Sequence, residues 1–317
     1  MKVTVYADGQ LKKASIEELG AYYEQAAWIS VVDPSLNELG RIVEVLGLPE
    51  YSLIGNLRSN YPHVDTSTKY TKFFSWFILP SKRNIESSYL KCPIVIFSNG
   101  VSVISLSQLR TEFHERVSND LNAPILSSLS LVSRIIYIFM TYNLENYERY
   151  TEEFERYTDK LEEMVPPWPK KFYIEASQIR KEVSRLLRII KHFRIMTDSL
   201  SNRTVRIPLS DEDVQFMDLI YDKAVSVEET TETILETIRD LISLNLDTVS
   251  HDMNIAMRLM ASITVIIAIP SVIGSLFGMN LIDNPWPWML WQVFLVCLSV
   301  ALFFSVYFYF KGWIRSR

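Results

Sequence analysis

Eight residues near the C-terminus recur at alternating steps of three and four: Asn254, Met257, Ala261, Thr264, Ala268, Ser271, Ser275 and Gly278. That spacing puts all of them on one face of a helix. The face is small or polar apart from Met257, whereas Ile263, Val265, Ile266, Ile269 and Val272 between them are bulky and apolar. Two chemistries suit such a face. Small side chains let helices pack closely inside a membrane. Hydroxyl and amide groups on one face can also line a water-filled path. The stripe holds no ionisable group inside the apolar run. A path along it would therefore select ions by dipoles, by width or by contacts with a hydrated ion.

Other candidate groups are sparse. Asp218 and Asp222 are four residues apart and share one helix face. They form a candidate carboxylate pair, or two exposed acids. His63, His114, His192 and His251 lack metal-ligand spacing. There is no Gly-x-Ser-x-Gly nucleophile motif, and no glycine-rich phosphate loop follows a strand-like segment. An enzyme is not expected. Cys92 and Cys297 fit neither a disulfide framework nor a zinc site and read as small hydrophobes. The net charge of -5 gives no basic footprint for nucleic acid.

The elements that must carry the stripe are membrane spans. Residues 259–277 carry no charge, and neither do residues 288–310. Each run is long enough to cross a hydrocarbon core of roughly 30 Å. Arg258 precedes the first run, and Lys311, Arg315 and Arg317 follow the second, in a basic tail at 311–317. The connecting segment 278–287 has one charge, Asp283. Positive flanks prefer the cytoplasm, so both termini are expected inside and the loop outside, in the cell membrane. Trp286, Trp288 and Trp291 suit an interfacial belt. The opening "MKVTVYADGQ" has no apolar core, so no signal peptide is expected.

Upstream, residues 1–108 read as an α+β cytoplasmic domain. "KVTVYA", "AWISVV", "YTKFFSWFIL", "CPIVIF" and "VSVISL" are strand-like, with helical segments between them and a capping box at Ser35 and Glu38. Residues 109–203 read as a charged helical hairpin broken at "VPPWPKK", with an acidic arm and a basic arm. The charges of the first arm read as a solvated face. Residues 208–258 are expected to form a stalk helix continuous with the first span. Ser210 is its cap, and neither glycine nor proline occurs from Asp211 to Ile269. A helix from there to Phe277 would be about 100 Å long. A lone helix cannot bury its apolar face, so the stalk needs neighbours, for which oligomerisation is the simplest source. That need, and the continuation of the stripe out of the membrane as Asn254, favour an axial path over packing alone.

Gly278-Met279-Asn280, at the end of the first of two C-terminal spans, resembles the motif of the CorA-type divalent cation channels. The tail "KGWIRSR", the stalk "YDKAVSVEETTETILETIRDLISLNLDTVSHDMN" and the N-terminal "WISVVDPSLNELGRIVEVLGL" extend the resemblance over essentially the whole chain. It implies a funnel-shaped homopentamer in the lipid bilayer and passive uptake of Mg2+, with Co2+ or Ni2+ as further cargo. Mg2+ would be both transported and regulatory ion. It makes Gly278, Met279 and Asn280 the selectivity filter, with Asn280 as the outer ring. It places Asn254, Met257, Ser271 and Ser275 along the pore; Met257, the one large apolar residue of the stripe, is expected to form a hydrophobic constriction. Asp222 matches a regulatory stalk carboxylate. The position of its partner is Leu219 here, with Asp218 one residue away. After the tripeptide the chain departs from the family pattern with "LIDNPWPW", where Asp283 can replace the usual acid. Pro270 is also one residue out of place. These departures leave a zinc transporter of the same superfamily as the alternative. A membrane-anchored cytoplasmic scaffold or sensor is the alternative of another class.

Overall fold

The structure is a computed structural model, and it describes residues 1–7, 9–47, 61–80, 89–164, 168–169, 171–279 and 288–314. The chain forms two compact units, Met1–Leu241 and Ile242–Arg317.

The first unit is built on a seven-stranded sheet of order β2-β1-β3-β7-β6-β5-β4. Its strands are β1 (Lys2–Ala7), β2 (Gln10–Lys13), β3 (Trp28–Val32), β4 (His63–Thr66), β5 (Thr71–Pro80), β6 (Tyr89–Ser98) and β7 (Val103–Ser107). Only β3 and β7 pair in parallel, Ile29 opposite Ile104; the other pairs are antiparallel. All five strand-like segments of the sequence are strands. The two edge strands, β2 and β4, are additional.

Alternation sorts the strand residues onto two faces. Val3, Val5, Ile29, Val31, Phe74, Val95, Phe97, Ile104 and Leu106 form one core with Leu39, Ile42, Val43 and Leu46. Those four come from helix α2 (Leu36–Leu46), whose capping box has the Ser35 hydroxyl accepting from Glu38 N–H. A short helix α1 (Leu19–Tyr23) adds Leu19. The other face meets α3 (Glu112–Asp120), a 3-10 turn (Pro124–Leu126) and α4 (Leu131–Glu162). There Phe77 packs against Phe113, Phe139 and Tyr142. The buried Ser75 hydroxyl donates to Asn143 Oδ1 at 2.8 Å, and the Tyr147 hydroxyl donates to the Trp76 carbonyl at 3.2 Å. These bonds fix α4 on β5.

His114 on α3 is 5% exposed. Its Nδ1 accepts from Thr111 N–H at 3.2 Å, which leaves Nε2–H to donate to the Ser107 hydroxyl at 3.2 Å. Burial pushes the imidazole down to about 4, against the pull of the Thr111 backbone and with help from Arg110. The sign of the linkage follows. Between about pH 6.5 and 4 the unfolded chain binds a proton that the folded chain refuses. Stability contributed by neutral His114 is therefore present above pH 6.5 and is lost as pH falls toward 4, by up to about 3 kcal/mol. His114→Gln should flatten this part of the pH dependence of thermal unfolding in detergent. Parallel Tm curves for the two proteins between pH 7 and 4 would refute it.

Beneath its charges, α4 buries Tyr147, Tyr150, Thr151, Phe154, Thr158 and Leu161. The charged run is thus a solvated face over an aromatic stripe. The second arm is α5 (Phe172–Ser201).

Helix α6 runs unbroken from Asp211 to Phe277 and contributes to both units. Ser210 caps it: its hydroxyl accepts from Asp213 N–H at 3.1 Å, while Asp213 accepts from Ser210 N–H at 2.7 Å. The expectation that the stalk needs partner chains is corrected for its first half. Ile220, Ala224, Val227, Thr231, Ile234, Leu235 and Ile238 are already buried within the single chain. The helical hairpin supplies the neighbours. Thr151 meets Thr231 at 3.0 Å, Arg194 pairs with Glu228 at 2.6 Å, Lys191 with Glu232 at 2.5 Å and Lys223 with Glu148 at 2.6 Å.

In the second unit, α6 is accompanied by α7 (Leu290–Phe310). Both helices are long and apolar enough to cross a membrane.

Candidate functional site

The membrane-spanning part of α6 has two unlike faces. One comprises Ser262, Val265, Ile266, Ile269, Pro270, Ile273 and Phe277, all buried or half-buried. The other is the stripe, and all eight of its residues, Asn254 to Gly278, are exposed. At about 100° per residue the two faces point to opposite sides of the helix. The covered face is the one that meets α7, so the stripe points away from it. On α7 the half-buried positions include Cys297, Ala301 and Ser305, a small-residue row at steps of four. Where the two spans face each other, α7 offers small residues and α6 mostly bulky ones. Packing against its own second span does not explain the stripe.

Two polar groups of the stripe are oriented. Thr264 donates its hydroxyl proton to the Met260 carbonyl at 2.9 Å, and Ser271 donates to Ile267 at 2.7 Å. A hydroxyl has one proton and two acceptor lone pairs. With the proton committed to the helix, each oxygen is left as an acceptor. Oxygen acceptors suit a cation or the water around it.

Pro270 stays within the helix. It cannot donate to the carbonyl of Ile266, a defect that membrane helices tolerate where neighbouring groups compensate. The Cys297 thiol approaches the Pro270 carbonyl at 3.6 Å. Cys92 is buried in the sheet, and burial pushes its thiol up, as expected of an inert hydrophobe.

At the outer end, Gly278 N–H donates to the Gly274 carbonyl at 3.1 Å. The helix ends here without a left-handed glycine cap, because Gly278 is not among the glycines with positive φ. An added Cβ would lie 3.4 Å from the Gly274 oxygen and 3.5 Å from the Ser275 oxygen, which is ordinary contact. Among the described residues nothing demands glycine at this position. Phe277 stacks on Trp288, ring centroids 5.5 Å apart, beside a cleft of about 730 Å3 that Gly274, Trp291 and Phe294 also line. Sequence reasoning gave Trp288 only an interfacial place. Met279 is exposed. Asn280 and Asp283 lie outside the described residues.

Asp218 and Asp222 are both exposed on α6. Asp218 accepts a hydrogen bond from the Ser201 hydroxyl. Among the described residues no group of three or more His, Cys, Asp or Glu could hold a metal ion. The pair is therefore at most part of a site within one chain.

The sequence profile described as "CorA-like Mg2+ transporter protein" matches residues 23–311. The cobalt/magnesium transport protein CorA of Methanocaldococcus jannaschii is 20% identical, over 98% of this chain and 99% of that protein. The Thermotoga maritima protein of the same name is 26% identical over 57% of this chain, and that match spans about half of the relative (52%). The complete structure of the CorA magnesium transporter from Methanocaldococcus jannaschii superposes with a TM-score of 0.78 at 17% identity, covering 99% of each chain. A sheet domain, a long helix and a terminal apolar helix recur there in the same fold. With the profile covering nearly its full length, the chain belongs to the CorA-like Mg2+ transporter family.

Proposed function

We infer that the chain forms a passive channel for Mg2+, with Co2+ and Ni2+ as further cargo, driven inward by the membrane potential and gated by intracellular Mg2+. The observation that carries this reading is the stripe. It offers oriented oxygen acceptors on a face turned away from the chain's own second span, which leaves it free to face other protomers. We take the assembly to be a homopentameric funnel in the cell membrane, with both termini cytoplasmic. The layout is then a cytoplasmic domain at 1–108, a helical hairpin at 109–203, a stalk at 208–258, spans at 259–277 and 288–310, an outer loop at 278–287 and a basic tail at 311–317.

Mg2+ gives up its water reluctantly. A neutral path lined by Asn254, Ala261, Thr264, Ala268, Ser271 and Ser275 suits it, because outer-shell hydrogen bonds hold a hydrated ion weakly enough to release it. Met257 forms an apolar constriction at the inner end. Gly278, Met279 and Asn280 form the outer filter, and Asp283 raises the local cation concentration. The C-terminal ends of several α6 helices converge there, and their partial negative charge adds attraction. The potential contributes about 2.3 kcal/mol per charge per 100 mV.

In this reading, regulatory Mg2+ bridges Asp218 and Asp222 to a neighbouring protomer and holds the closed state. When internal Mg2+ falls, the unscreened acids repel and the stalks separate. Replacing both with Asn should raise the Mg2+ concentration needed for half-inhibition by on the order of tenfold, a change of about 1.4 kcal/mol. An unchanged inhibition curve would remove these residues from the sensor.

The reading as a whole is tested with purified protein in liposomes that contain a Mg2+-sensitive dye. An inside-negative potential should drive Mg2+ entry. Absence of entry at any internal Mg2+ level would return the chain to a scaffold or sensor. Zn2+ entry in preference to Mg2+ would assign it to the zinc branch.

A further inference from the structure

The basic arm of the hairpin has a use that ion conduction does not require. Arg180, Lys181, Ser184, Arg185 and Arg188 lie along one face of α5. Together with Arg239 of α6 they line a cleft of about 360 Å3. Lys91, near the start of β6, feels the same charges: burial lowers its ammonium, the repulsion of Arg185 and Arg188 adds to this, and Glu182 opposes it. The chain as a whole has a net charge of -5, so this concentration of positive charge runs against its composition.

Among the described residues, little neutralises it. Glu182 pairs with Arg185 at 2.6 Å. Arg188 contacts the Tyr61 hydroxyl at 3.4 Å. Among the described residues, Arg180, Lys181 and Arg239 form no ion pair, even though Glu236 and Asp240 stand beside Arg239 in sequence. Like charges held this close cost free energy that an anion would recover.

We propose that this cleft binds a polyphosphate anion. Guanidinium groups offer paired donors that match phosphate oxygens, and three or four of them converge here from two helices. Arg180 and Arg188 are eight residues apart, about 12 Å along the helix axis. That separation suits a chain of phosphate groups, since a single phosphate reaches only one end. All six lining residues belong to the first unit, and the ligand assigned to them is a soluble polyphosphate.

The test uses full-length protein in detergent, titrated with inorganic triphosphate in a calorimeter. Wild type should show saturable binding, and inorganic monophosphate should bind at least about tenfold more weakly. The double variant Arg180→Gln/Arg239→Gln should lose at least about tenfold in triphosphate affinity with an unchanged melting temperature. Lys12→Gln/Lys13→Gln, on the exposed strand β2, should bind as wild type. Absence of saturable binding would overturn the proposal, and so would equal weakening in both double variants, the mark of non-specific attraction. So would native mass spectra in which Arg180→Gln/Arg239→Gln dissociates the assembly while triphosphate binding stays the same, because the cleft would then seat a second copy of the chain.

Discussion

Asn280→Ala is expected to lower Mg2+ flux into liposomes by on the order of 100-fold, with assembly and melting temperature unchanged. The residue follows the stripe in the sequence, two positions beyond Gly278. Its amide oxygen is the polar group assigned to the first contact with the hydrated ion. One such hydrogen bond is worth about 0.5–1.5 kcal/mol. Alanine removes one from each protomer, so the loss multiplies around a ring, and about 3 kcal/mol corresponds to roughly 100-fold. Asn280→Asp makes the complementary case. It keeps the oxygen and adds charge, so it should tighten ion binding and slow release, lowering maximal flux and the concentration that half-saturates it. Wild-type flux through Asn280→Ala would reject the filter and, with it, the role taken from the family resemblance.

The second large effect separates a path from a packing seam. Ala268→Phe places a ring in the middle of the stripe and should reduce flux by at least about tenfold. Leu298→Phe makes a similar addition on the exposed face of α7, where Leu298 is 54% exposed, and should leave flux near wild type. A seam between protomers predicts another pattern. Ala268→Phe would then disturb assembly, at about 1–3 kcal/mol for overpacking, and native mass spectra would report it. Intact oligomers with blocked flux support the path; dispersed protomers support the seam.

Much of this arrangement is legible in the sequence, because membrane spans and heptad steps are strong local signals. Two uncharged runs and the alternating steps from Asn254 to Gly278 need no tertiary information. The edge strands are a different matter. Gln10–Lys13 is exposed at every position, so it has no apolar alternation to betray it. The Asp8-Gly9 pair before it, with Gly9 at φ 78°, is a hairpin signal that could have revealed it. His63–Thr66 is four residues long and lies at the opposite edge. The aromatic row under the charges of α4 was likewise available at helical spacing, but charge drew the reading to the surface.

What stays illegible is long-range. No periodicity says that the first half of α6 is covered by its own hairpin, since that depends on pairs such as Thr151 and Thr231, eighty positions apart. The cleft of α5 is similar. The basic residues of that helix are visible as a run, but Arg239 joins them only through the fold. Gly278 teaches the converse lesson. A glycine at a helix end suggests a left-handed cap, and here the backbone does not use it.

The hydroxyls of Thr264 and Ser271 bear on what else can travel along the stripe. Each has its proton engaged with a backbone carbonyl. A hopping proton needs every link of a water file to accept on one side and donate on the other. These two oxygens accept but have nothing free to pass on, so neither can serve as a link in such a file. In the path proposed above, an orientation that suits a hydrated metal ion would thus also disfavour proton relay through these two groups.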